Sequence, residues 1–118
     1  MSGASQPAIL SKNDGCASGC CLPTTIENVT TASVPLAVSG RFVAENGVRG
    51  PGAVKIIADR DSRTILGIHM LGTYAPETIW GAAAALENEL SIDDLRQVVF
   101  PHPTVSEGIR EAAWAVRD

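Results

Sequence analysis

Ala53-Val54-Lys55-Ile56-Ile57-Ala58-Asp59 alternates in polarity, with Val54, Ile56 and Ala58 falling on one face of a strand and Lys55, Ile57 and Asp59 on the other. Asp59-Arg60-Asp61-Ser62-Arg63 then forms a polar turn, and Thr64 to Leu71 resumes as an apolar run. The two runs read as an antiparallel hairpin with one buried face. Gly47, Gly50, Pro51 and Gly52 punctuate the approach to it. A preceding strand is expected over Leu36 to Glu45, although its apolar residues alternate less cleanly.

Downstream the period changes. Pro76 suits a first helical position, and Ile79, Ala83, Leu86 and Leu90 recur at spacings of four, three and four, predicting a helix over residues 75–90. Its run Gly81-Ala82-Ala83-Ala84-Ala85 has so little side-chain bulk that another backbone could lie close to it. Ser91 followed by Asp94 predicts a capped start to a short helix carrying Leu95, Val98 and Val99, which Pro101 stops. Val105, Ile109, Ala112 and Val116 give a last apolar stripe, over residues 104–117. Strands first and helices after them imply an α+β fold, a small antiparallel sheet with helices packed on one side.

The chain has 118 residues, 45% of them hydrophobic, enough for one modest core and one domain. Residues 1–34, rich in Ser, Thr, Gly, Asn and Cys, read as a loosely ordered leader, leaving 35–118 as the folded unit. A formal net charge of −4 offers no basic face for nucleic acid or anionic membrane. No run approaches the roughly 20 apolar residues of a membrane span, and Met1 to Lys12 lacks the layout of a secretory signal, so a cytoplasmic protein is expected. All three cysteines lie between Cys16 and Cys21, too close together to form a disulfide framework. Cys16, Cys20 and Cys21 could present thiolates to a soft ion, but they are an incomplete tetrahedral set with no histidine nearby in sequence.

Pro101-His102-Pro103-Thr104-Val105-Ser106-Glu107 is the stretch most suggestive of chemistry. Pro103 disfavours the α region at His102 and Pro101 fixes the approach, so the imidazole is displayed on stiff, extended backbone. Thr104 and Glu107 have capping-box spacing, which would make Glu107 a helix-start residue only; the same spacing lets it reach back to the imidazole. His69, on the hairpin, reads as a partly buried structural histidine.

His102-Pro103-Thr104-Val105-Ser106-Glu107 resembles the His-Pro-Thr-x-Ser-Glu motif of the pyridine nucleotide-disulfide oxidoreductases, the family of dihydrolipoamide dehydrogenase, glutathione reductase and mercuric reductase. Gly52–Asp59 and Ile65–Gly72 are similar to the hairpin strands of that family's C-terminal dimerisation domain. Glu77–Leu90 and Asp94–Pro101 follow in order, the latter with a flavour of the mercuric reductases. About 80 residues are covered, from Ser39 to the end. The resemblance implies a homodimer in which His102 serves as acid-base for a thiol at the partner's flavin site while Glu107 orients it. It also implies a cis bond before Pro103.

FAD and NAD(P) belong to the family's other domains. This sequence shows neither the Gly-x-Gly-x-x-Gly turn nor the Cys-x-x-x-x-Cys redox pair, so no cofactor is expected on this chain and a separate FAD- and NAD(P)-binding subunit becomes a possible partner. The family's opening strand, with its Thr-Asp-Pro-Glu-like segment, is not evident either. Two other readings remain open at this point: a small dimeric thiol protein that captures soft metal, and a purely structural dimer.

Overall fold

The computed structural model describes residues 6–11 and 28–117. The hairpin forms as its alternation requires, from β3 (Ala53–Asp59) and β4 (Ile65–Gly72). Val54, Ile56 and Ala58 are fully buried. The turn is closed by Asp59, whose carboxylate accepts the N–H groups of Asp61 and Ser62 at 3.0 and 2.7 Å. Between Ile57↔Gly67 and Ala58↔Ile65 the register shifts, leaving Leu66 as the extra residue of a bulge. That bulge lets Ile65 and Ile68 both enter the core, so Ile65 departs from the face that His69 shares with Gly67 and Leu71.

Two more strands complete an antiparallel sheet of order β1-β4-β3-β2. They are β1 (Gln6–Ser11), opposite β4, and β2 (Val29–Pro35), opposite β3. Both come from the stretch expected to be a loose leader, so the folded unit begins well before residue 35. The polar composition that suggested a leader is that of an edge strand: Ala32 and Val34 half-bury while Thr31, Ser33 and Pro35 face outward. Residues 12–27, with all three cysteines, lie outside the described residues.

The expected strand over Leu36 to Glu45 is instead a 3-10 turn, Leu36–Val38, and a helix α1, Gly40–Asn46. The Ser39 hydroxyl accepts the N–H of Phe42 at 3.3 Å, and Gly47, at φ 75°, ends the helix. These two caps outweigh the weak alternation. Leu36 and Phe42 are both fully buried, and Gly72 admits them: a Cβ there would lie 2.5 Å from the Leu36 side chain.

Two helices cover the core face of the sheet, and a third, lying between them in the chain, packs against the second. In α2 (Ala75–Glu87) the buried residues are Ala75, Ala82, Ala85 and Leu86, so the buried stripe passes through Ala82, while Ala83 is only half-buried. Five small residues in a row leave the sequence no contrast from which to choose. The short α3 (Ile92–Gln97) has a complete capping box between Ser91 and Asp94. It ends at Gln97, so Val98 and Val99 lie beyond it and are exposed. In α4 (Glu107–Ala115) the expected stripe holds, with Val105, Ile109, Ala112 and Val116 all buried. Arg96 of α3 anchors the end of α4, donating to the carbonyls of Ala113 and Val116 at 3.2 and 2.8 Å and lying over Trp114. The architecture is the expected α+β layer, an antiparallel sheet with helices on one side.

Candidate functional site

The site is built where the Pro101–Ser106 segment meets the first turn of α4. Gly108 sets the depth of that turn, since a Cβ there would meet Leu36 at 2.9 Å and Val54 at 3.1 Å. Close packing of α4 on β3 therefore buries Glu107, the residue before it, at 4% exposure. His102 projects the opposite way, its side chain 76% exposed, and its bond to Pro103 is cis.

The two side chains nevertheless meet. His102 Nδ1 lies 2.8 Å from Glu107 Oε1. The other carboxylate oxygen, Oε2, accepts the Thr104 N–H at 3.0 Å. One carboxylate thus performs both jobs that the sequence left open, one oxygen holding the backbone before the helix and the other holding the imidazole. The reciprocal half of a Thr104 capping box is not made. Thr104 Oγ1 instead donates to the Pro101 carbonyl at 2.7 Å, so in its 2.8 Å contact with Ser106 the Ser106 hydroxyl is the donor.

Burial is the largest influence on the Glu107 carboxyl and pushes its pKa up. The Thr104 N–H, His102 and the Arg110 guanidinium, 3.4 Å away, together outweigh it and hold the value below the ordinary 4.5. Glu107 is therefore ionised at neutral pH and accepts from both neighbours. With the carboxylate able only to accept, His102 Nδ1 is the donor in their contact.

Comparison with known proteins agrees with the order of the segments. The family model described as pyridine nucleotide-disulphide oxidoreductase, dimerisation domain, matches residues 23–113. The chain belongs to this family. Dihydrolipoyl dehydrogenase of Thermus scotoductus is 37% identical over 89 residues, 75% of this chain and 19% of that protein. The mitochondrial dihydrolipoyl dehydrogenase of Pisum sativum is 46% identical over 67 residues, 57% of this chain and 13% of that protein. Among solved structures, the HOCl-induced flavoprotein disulfide reductase RclA from Escherichia coli superposes with TM-score 0.69 and 25% identity, over 79% of this chain and 21% of that one. LpdA from Mycobacterium tuberculosis gives TM-score 0.66 and 29% identity, over 73% and 18%. The chain spans about a fifth or less of the length of these relatives.

The residues of this dimerisation domain do not fit the cofactors of the larger proteins. A dinucleotide turn runs from a strand into a helix so that the helix N-terminus meets the pyrophosphate. Gly47, Gly50 and Gly52 run the other way, from the end of α1 into β3. Among the described residues no group of three or more His, Cys, Asp or Glu side chains could hold a metal ion. His69 is half-buried in β4, opposite Lys55 and Ile9.

Sequence reasoning missed two residues of the site, Arg110 beside Glu107 and Ser39. Ser39, 1% exposed, donates its hydroxyl proton to the Thr104 carbonyl at 2.8 Å. The available signal was Ser39 as a helix N-cap, and nothing local pointed 65 residues onward.

Proposed function

We propose that this domain pairs with a second copy of itself within a flavin-dependent disulfide reductase and supplies His102 as the acid-base for a thiol in the partner subunit's active site. The observation that carries the proposal is the asymmetry of the dyad: Glu107 is buried and satisfied, whereas the ring it holds is displayed and Nε2 meets no hydrogen-bond partner among the described residues. A histidine that served only this fold would have no reason to be held so and left outside.

In the proposed step the S–H bond of the thiol breaks and its proton goes to Nε2, leaving a thiolate. A thiol and an imidazole differ by about two units in ordinary pKa, near 8.5 and 6.5, so the transfer is uphill in water but modest. Glu107, through Oε1, holds the ring at Nδ1 while the proton is carried at Nε2. The same proton returns from Nε2 when a thiolate must leave protonated.

The surface offered to a second copy lies beside the dyad. A groove of about 890 Å³ runs from α2 to the Pro101–Ser106 segment, with Trp80, Val98, Val99 and Phe100 along it. Trp80 is 72% exposed and Val99 91%, large apolar groups in the open along one groove. Pairing there would cover them and bring the Pro101–Ser106 segment to the subunit boundary.

The test exchanges this domain for the matching part of the Thermus scotoductus dihydrolipoyl dehydrogenase and follows turnover with dihydrolipoamide. With the unaltered domain giving an active enzyme, His102→Ala is expected to lower kcat by about a hundredfold or more. Unchanged kcat in that variant would remove His102 from the chemistry.

A further inference from the structure

Thr104 is the node through which the His102 segment is held to the rest of the domain. Its N–H goes to Glu107 Oε2, its side chain closes back on Pro101, and its carbonyl accepts the hydroxyl of Ser39, from the other end of the chain. That carbonyl has a second donor, the Glu107 N–H, but at 3.4 Å it is the weaker of the two. Ser39 has one proton and gives it here, while its oxygen accepts from Phe42 N–H, so a single buried hydroxyl is satisfied in both directions.

Resting on the acid-base reading above, we propose that Ser39 is a positioning residue for the His102–Glu107 dyad. Its hydroxyl fixes the Thr104 peptide. The Thr104 N–H in turn fixes which way the Glu107 carboxylate faces, and the other oxygen selects the ring nitrogen of His102 that carries the proton. The chain of contacts is continuous, each link between 2.8 and 3.0 Å. Helix capping alone would not require it. An N-cap needs only an acceptor for Phe42 N–H, whereas Ser39 also spends its proton on a segment far along the chain.

The two roles separate experimentally. Ser39→Ala and Ser39→Gly both remove the donor, and glycine is nearly as good as serine at starting a helix, so the second variant keeps α1. Ser39→Thr keeps donor and acceptor. The readout is the nitrogen-15 spectrum of the His102 ring in the full 118-residue chain, at a pH where imidazole is neutral. In the unaltered protein the Nδ1-protonated form dominates. In Ser39→Gly its share over the Nε2-protonated form falls several-fold, with Ser39→Thr restoring it.

A Ser39→Gly protein that is folded and keeps the full Nδ1-protonated share overturns the proposal and leaves Ser39 a helix cap. Ser39→Thr that folds and fails to restore the share overturns it as well. Glu107→Gln is the separate control for the underlying reading. If that variant leaves the ring spectrum unchanged, the dyad itself is wrong, whatever Ser39 does.

Discussion

Replacing Glu107 separates the group that holds the site together from the group that is displayed. Glutamine keeps the shape but turns one oxygen into a donor. The Thr104 N–H can only donate, so the amide oxygen must stay there and the NH₂ must face His102, which accepts it by moving its proton to Nε2. The exchange replaces a charge-assisted bond, worth about 1.5–3 kcal/mol, by a neutral one of about 0.5–1.5, so Glu107→Gln is expected to cost about 1 kcal/mol. Alanine removes every partner and leaves the Thr104 N–H unsatisfied in a part-buried position, a penalty of roughly 1–3 kcal/mol added to the lost bond, about 3 in all. His102→Ala, at an exposed ring, costs under about 1 kcal/mol. Urea unfolding of the full chain measures all three, and heating should show the alanine variant melting roughly 10–20 °C lower. The pH dependence has a fixed sign. Because the folded carboxyl titrates below its ordinary 4.5, its contribution is complete above that value and disappears as pH falls through the folded one. Below pH 4.5 the difference between the unaltered protein and Glu107→Gln therefore narrows as the carboxyl protonates. Equal losses from His102→Ala and Glu107→Ala, or a difference that widens as pH falls below 4.5, would refute this reasoning.

Arg96→Ala removes two hydrogen bonds to the last carbonyls of α4 and the contact with Trp114, and is expected to cost about 2–3 kcal/mol by chemical denaturation; Arg96→Lys, lacking the planar fork, recovers less than half. Gly72→Ala sets a Cβ 2.5 Å from Leu36 at φ 142°, and should destabilise by roughly 2–4 kcal/mol in the same measurement. Val99→Glu places a charge at the most exposed apolar position of the groove, so sedimentation equilibrium should find its dimer at least ten times weaker than that of the unaltered chain; a monomer for the unaltered chain at micromolar concentration would contradict the homodimer.

What the sequence revealed depends on whether a period or a distant partner decided each element. Val54, Ile56 and Ala58 share one strand face opposite Lys55 and Asp59, and Val105, Ile109, Ala112 and Val116 recur along and just beyond α4, so both elements could be read locally. In Gly81–Ala85 every position is equally small, and packing against the sheet, which no window of sequence contains, chose Ala82 over Ala83. In Leu36–Glu45 the apolar residues alternate only weakly, whereas Ser39 and Gly47, both legible in the sequence, mark a helix between them. The edge strands Gln6–Ser11 and Val29–Pro35 owe their form to pairing with β4 and β3 rather than to their own composition. At the site, the contact of His102 with Glu107 spans five residues and was legible. The bond from Ser39 to Thr104 exists only once α1 and α4 pack on the same end of the sheet.

The proposed action across a subunit boundary is tested most directly by mixing two inactive versions of the exchanged-domain enzyme. One carries His102→Ala, and the other has a cysteine of its own redox pair replaced. In a mixed dimer of this pairing, a histidine acting on the partner's site leaves one of the two sites whole, and random assortment makes half the dimers mixed, so activity should return to about one quarter of the unaltered enzyme's. If His102 acts within its own subunit, no mixed dimer holds an intact site, and activity that stays at the level of the two separate variants would contradict the account.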